Sequence, residues 1–185
     1  NLEKKRIYDS VPSRLDHLPF GVWIMREENM TKTIILGDLL SAGRIVIFNG
    51  RRTKAEVLNA LIDRIAKEGD YGDRDDLEWA IFHRESLMST GIGNGIATPH
   101  IILQNGDKTC MALGICKDGI ADYESLDSKP VRIVFMIIAG KDQKLTHLKV
   151  LAAISSLFFD GRLKAAFLAA NDPQTCLEIL ARAEK

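Results

Sequence analysis

Val131-Arg132-Ile133-Val134-Phe135-Met136-Ile137-Ile138-Ala139 is apolar at every position but Arg132. A strand with one wet face alternates apolar and polar residues. A run without alternation reads as a strand covered on both faces. Thr109 to Cys116 has the same character, and Ile45 to Phe48 is a shorter piece of it. Helical patterns surround these strands. Thr53-Lys54-Ala55-Glu56 has the spacing of a capping box, in which hydroxyl and carboxylate satisfy free backbone N–H groups. Behind it Val57, Leu58, Leu61, Ile62 and Ile65 share one face, up to a stop at Gly69. Asp73 opens a second helix through Leu77, Ala80 and Ile81 to about Leu87, with acidic residues in its first turn as the helix dipole favours. Leu36 to Gly43 reads as one short helix. Leu145 to Phe159 reads as a helix with Leu148, Leu151, Ala152, Ser155, Phe158 and Phe159 on one side. Asp160 to Ala170 is a shorter helix. Asp172-Pro173 starts the last one, with Leu177, Leu180 and Ala181 inward. Strands alternating with helices predict an α/β layered domain.

Residues 1 to 35 read differently. They hold Pro12, Pro19 and scattered aromatics, with a short strand-like run from Phe20 to Met25 and no clean helical period. They are expected to form an N-terminal extension, and residues 36 to 185 the domain. The segment Asn1 to Arg6 is charged with no apolar run behind it, so no secretory leader is expected.

The 185 residues carry 25 Lys plus Arg and 25 Asp plus Glu, a balance that lacks the electrostatic footprint of a general nucleic-acid binder. No apolar stretch has the length of a membrane span. Cys110, Cys116 and Cys176 show neither disulfide nor zinc spacing and are expected to be buried thiols in a reducing compartment.

The chemistry is expected in Arg84 to His100, and above all in Ser89-Thr90-Gly91-Ile92-Gly93-Asn94-Gly95-Ile96-Ala97-Thr98-Pro99-His100. Alternate glycines allow positive φ and close approach to a bound group, and such loops expose amides to anions. No strand–GxGxxG–helix fingerprint and no Walker loop is present. Pro99 fixes the backbone before an imidazole, and an imidazole with one free neutral nitrogen is a nucleophile. By itself this leaves a plain tight loop and a structural histidine as open readings.

The whole string resembles the signature of the fructose/mannitol-type EIIA domains of the bacterial phosphoenolpyruvate-dependent phosphotransferase system, which include the nitrogen-regulatory EIIA proteins. The likeness extends to Arg84-Glu85, to Asp127-Ser128-Lys129-Pro130-Val131 and to His147-Leu148. It implies a layered sandwich with a mixed β-sheet flanked by helices. It implies that His100 accepts a phosphoryl group from the phosphocarrier HPr and passes it to a cysteine of an EIIB domain for sugar uptake. In a regulatory member, phosphorylation of the same residue controls a partner instead. His147 then stands beside the acceptor and Arg84 near the phosphate, although a polar residue on an exposed helix side and a solvated arginine are the plainer alternatives.

Ser89 and Thr90 hydroxyls and the amides of Gly91, Gly93 and Gly95 are expected phosphate donors, turn capping being the alternative for the hydroxyls. Ile92, Ile96 and Ile101 are expected to form the apolar rim on which HPr docks. No metal, cofactor or membrane insertion is implied, nucleic acid is not expected as a partner of the domain, and the location implied is cytoplasmic. Two positions depart from the family pattern: Thr98, where an aliphatic residue is usual, and Ile101, where a small one is usual.

Overall fold

A computed structural model describes residues 33–68, 71–104 and 108–185. Residues 1–32 of the expected extension, with the strand-like run at 20–25, and the helix stop at Gly69 lie outside these residues.

Six strands form one mixed sheet among the described residues: β1 (Ile45–Phe48), β2 (Gly91–Gly93), β3 (Ile96–Ala97), β4 (His100–Leu103), β5 (Thr109–Cys116) and β6 (Ile133–Gly140). The order is β1-β5-β6-β3-β2, and β4 also pairs with β6. β5 and β6 run antiparallel, while β1 is parallel to β5. β3 and β4 both run parallel to β6, on successive stretches of it.

Both long strands are buried throughout, which explains their unbroken apolar sequence. Side chains alternate across the sheet. Val134, Met136 and Ile138 face one layer with Cys110 and Ala112, whereas Ile133, Phe135 and Ile137 face the other with Met111 and Leu113. The first layer contains α1 (Lys54–Ala66) and α2 (Arg74–Leu87). The second contains α3 (Lys144–Leu157), α4 (Arg162–Ala169) and α5 (Pro173–Ala183). Phe158 anchors that second core, 5.1 Å from the Phe135 ring and 5.5 Å from the Phe167 ring.

The helix starts follow the sequence. Thr53 caps α1 with both bonds of the capping box, Asp73 caps α2, and Asp172 caps α5 with Pro173 in its first turn. Two expectations need correction. Leu36 to Gly43 is two 3₁₀ turns, Leu36–Leu39 and Ala42–Arg44, with Leu40 and Ser41 extended between them. Glycines at 37 and 43 weaken a continuous α-helix there. The inner face of α3 is also rotated. The sheet takes His147, Val150 and Ile154, leaving Leu148 and Phe159 exposed. Apolar residues lie all round this helix, so its period does not fix a face.

All three cysteines are buried, and burial raises their thiols, Cys110 and Cys176 to about 11 and Cys116 to about 12. Among the described residues no helix is long and apolar enough to cross a membrane.

Two of the three expected docking isoleucines are core residues. Ile96 is 2% exposed and packs with the α3–α5 layer, and Ile101 is 8% exposed and packs with α1 and α2. Neither offers its side chain to a partner, so only Ile92, 38% exposed, remains of the expected rim. Ile101 also points away from the histidine beside it, because neighbours in a strand take opposite faces.

The glycine run forms a hairpin. β2 and β3 pair antiparallel, and Asn94 (φ 53°) and Gly95 (φ 75°) turn the chain with positive φ at both positions. Gly91 is needed for close approach: a Cβ there would sit 2.1 Å from the Glu124 carbonyl oxygen and 2.9 Å from Ser125 Cα.

Two substitutions check this packing. Ile101→Asp puts a carboxylate among the α1 and α2 side chains, and a loss of about 4 kcal/mol or more is expected in urea unfolding. Gly91→Ala forces two backbone segments apart, and a loss near the top of about 1–3 kcal/mol is expected in the same measurement.

Candidate active site: a histidine pair beside the glycine hairpin

β3 and β4 are two parts of one edge interrupted at Thr98-Pro99. Thr98 N–H leaves the β6 ladder and donates to Thr90 O (3.0 Å), extending the hairpin, while Pro99 O accepts from Ile137 N–H (2.9 Å). His100 begins the second part, in register with Ile137. Its ring lies on the α3 side of the sheet, 4.8 Å from the His147 ring at a tilt of 49°. His147 is 6% exposed on the sheet-facing side of its helix. Nothing among the described residues bonds its Nδ1. The reading of His147 as an exposed polar residue is thereby excluded.

His100 Nδ1 lies 2.8 Å from Thr98 O. A carbonyl only accepts, so Nδ1 carries the proton and donates it, and the lone pair of the neutral ring is on Nε2. Burial lowers the His100 pKa below its ordinary 6.5; the Thr98 bond opposes the shift, Arg84 adds to it and Glu85 opposes it. Burial likewise lowers His147, and His100 itself lowers it further. Both rings are neutral at neutral pH.

A cleft of about 280 Å³ opens at His100, lined also by Arg84, Met88, Ser89, Thr90, Gly91, Ile92 and Leu126. Arg84 is half-buried at the end of α2, where its Nη1 donates to Met88 O (2.9 Å). The cleft wall thus supplies a cation, the His100 imidazole and an exposed apolar rim in Met88, Ile92 and Leu126, while the buried His147 ring packs against His100 from within.

The other expected phosphate donors are placed differently. Ser89 Oγ donates toward Glu85 Oε1 (3.2 Å) and Glu124 O (2.8 Å). Thr90 donates through N–H (3.0 Å) and through Oγ1 (2.6 Å) to the Glu85 carboxylate, and it accepts from Tyr123 Oη (3.0 Å). These groups are engaged in building the loop. Gly93 lines a neighbouring cleft with Phe159, and Gly95 another with Lys129, Arg132 and Lys164, and neither lines the cleft at His100. The hairpin tip is held from three sides. Asn94 donates N–H to Asp127 (2.9 Å) and Nδ2–H to Phe158 O (2.7 Å), and its Oδ1 accepts from Lys164 Nζ (2.8 Å).

Sequence reasoning gave Glu85, Lys54 and Tyr123 no role at the site. Glu85 is buried, its carboxylate bonded by Thr90 and 2.9 Å from Lys54 Nζ. Burial pushes its pKa up, but the Thr90 bonds and Lys54 outweigh that and leave it below the ordinary value. The signal was present in the sequence: Leu77, Ile81 and Glu85 share one helix stripe at i, i+4 and i+8, so Glu85 is an acid on a core face. Among the described residues no cluster of His, Cys, Asp and Glu is arranged to hold a metal ion.

Residues 38–183 match the family model described as "Phosphoenolpyruvate-dependent sugar phosphotransferase system, EIIA 2". The chain is 34% identical over 148 residues to the fructose-specific EIIABC component of Bacillus subtilis, covering 80% of this chain and 23% of that much longer protein. It is 32% identical over 144 residues to a nitrogen regulatory protein of Bradyrhizobium diazoefficiens, covering 78% of this chain and 93% of that one. The fold matches the crystal structure of the nitrogen regulatory protein IIA-Ntr from Neisseria meningitidis, with a TM-score of 0.71 at 22% identity, over 80% of this chain and 99% of that one. The mixed sheet, the hairpin ending in Thr98-Pro99-His100 and these matches lead to one assignment: the chain belongs to the EIIA 2 family of the phosphoenolpyruvate-dependent sugar phosphotransferase system.

Proposed function

We propose that the domain, residues 36 to 185, is a cytoplasmic phosphocarrier that takes a phosphoryl group from HPr on Nε2 of His100 and passes it to an EIIB cysteine. The observation that carries this reading is the 2.8 Å bond between His100 Nδ1 and Thr98 O. It fixes the proton on one nitrogen and leaves a lone pair on the other. In the transfer step that lone pair forms the new N–P bond as the donor's bond to phosphorus breaks, and the electron pair leaves with the donor. The proton stays on Nδ1 throughout, hydrogen-bonded to Thr98 O. The positive charge that develops on the ring is stabilised by that same carbonyl.

Phosphoryl transfer is chiefly positioning and charge neutralisation. Arg84 supplies the cation, since its Nη1 is the part tied to Met88 and the rest of the guanidinium is left for phosphoryl oxygens. His147 supplies a second polar group, a buried ring with an unpaired nitrogen beside the acceptor. The apolar rim that HPr meets is Met88, Ile92 and Leu126, with Leu148 further along α3.

A second reading keeps the same chemistry at His100 but uses the phosphoryl group as a switch that changes charge at a partner-binding cleft, with no sugar handled. Similarity to a nitrogen regulatory protein over nearly all of that protein's length favours it. Discharge by an EIIB protein separates the two readings.

Incubation with phosphoenolpyruvate, enzyme I and HPr is expected to add one acid-labile phosphoryl group by intact mass, and His100→Ala to abolish it. Arg84→Ala is expected to slow the gain by about a hundredfold. No gain in the unaltered chain would overturn both readings.

The lowered histidine pKa values set a pH window. A ring whose folded pKa lies below 6.5 is more than half neutral at pH 6.5 and reaches its protonation midpoint only below it. The rate of phosphorylation at fixed phospho-HPr is therefore expected to fall with acid through a midpoint below pH 6.5. An inflection above 6.5 would contradict the neutral pair.

A further inference from the structure

Glu85 and Lys54 form an ion pair behind the hairpin, and neither is hydrogen-bonded to His100. The Glu85 side chain is 2% exposed and the Lys54 side chain 22%. Lys54 is the first residue of α1, and its ammonium lies over the Tyr123 ring, 4.6 Å from the centroid. We propose that Glu85, held by Lys54, is a positioning residue that sets the tautomer and placement of His100 through Thr90 and Thr98.

The connection is a series of short bonds. The Glu85 carboxylate accepts from both N–H and Oγ1 of Thr90, which fixes that residue in two directions. Thr90 O accepts the N–H of Thr98 at 3.0 Å. Thr98 O, at the far side of the same residue, meets His100 Nδ1 at 2.8 Å. A displacement of Thr90 thus moves the one acceptor that keeps the imidazole proton on Nδ1. There is little slack to absorb it, because Gly91 is already packed against the Glu124 carbonyl.

Stability alone does not call for this pair. Desolvating two charges offsets most of their attraction, and well-packed apolar replacements of buried pairs are often neutral or stabilising. A carboxylate supplies what an apolar side chain lacks: two acceptors in fixed directions. Lys54 neutralises it and, with the Tyr123 ring below, keeps it from turning. Tyr123 closes the set by donating to Thr90 Oγ1, whose own proton is given to Glu85.

The proposal rests on His100 being the phosphoryl acceptor, and the test separates the two claims. Glu85→Gln, Lys54→Met and Lys54→Arg are made in the full chain. The His100 ring is examined by ¹⁵N NMR, and phosphorylation is followed with phospho-HPr as donor. In Glu85→Gln and Lys54→Met, the Nδ1–H tautomer is expected to lose its dominance. Their rate at saturating donor is expected to fall by about tenfold to a hundredfold, with half-saturation within about twofold of the unaltered chain. Lys54→Arg, which restores the charge, is expected to recover most of both.

A lower melting temperature with unchanged tautomer and unchanged saturated rate would make the pair scaffold only and overturn the proposal. Should Glu85→Gln fail to fold, the contrast between Lys54→Met and Lys54→Arg decides by the same two readouts. An unaltered chain that takes no phosphoryl group would remove the functional reading, and the tautomer measurement would still decide whether the pair positions the ring.

Discussion

β6 is buried on both faces, and its backbone must then find partners along both edges without help from water. β5 satisfies one edge along its length. The other edge is covered in two instalments, β3 and then β4, with Thr98-Pro99 between them. That interruption is where the proposed acceptor, His100, sits. Pro99 has no N–H to give, Thr98 turns its own toward the hairpin, and His100 re-enters the sheet with its ring toward α3. The histidine's position follows from the requirement that a fully covered strand leave no polar group unpaired.

From the strand outward, the elements legible in the sequence are those decided by short-range physics. The α1, α2 and α5 starts were readable because caps act over three or four residues. β5 was readable end to end because a doubly buried strand has no polar interruption. What sequence left open depends on the other side of a contact. The α3 face was ambiguous because the helix is apolar all round, and only the sheet selects His147, Val150 and Ile154. β2, β3 and β4 were passed over because strands of two to four residues carry too little pattern, though Asn94-Gly95 was a hairpin signal. Ile96 and Ile101 looked like a rim because they flank the site in sequence, whereas alternation along a strand sends neighbours to opposite faces.

The site divides in the same way. His100, His147 and Arg84 could be named from motif resemblance, and the fold brings the two rings into contact with Arg84 on the wall of the same cleft. The roles of Ser89 and Thr90 could not be read from their chemistry alone. A hydroxyl beside a nucleophile suggests a ligand contact, but here a buried carboxylate one helix turn away has taken it. Electrostatics of the cleft follow from that arrangement. The acid lies behind the loop and the arginine lines the cleft, so the cleft face presents one neutral imidazole, His100, and a cation. The same face suits a sugar-route carrier and a regulatory switch, matching a family whose relatives here include a fructose component and a nitrogen regulatory protein.

Among the described residues the three-residue strand β2 is the sheet's last strand on the cleft side, and its outer edge is not bare. Leu126 N–H donates to Gly91 O, and Ser125 bridges to Gly91. An uncovered edge invites another chain to add a strand, either as a binding mode or as a route to aggregation. With that edge already occupied, main-chain pairing is closed to any visitor approaching His100 from the hairpin. Recognition must then be written in side chains, on surfaces that diverge readily while the sheet beneath them stays the same. One scaffold is thereby free to change its clientele without changing its chemistry.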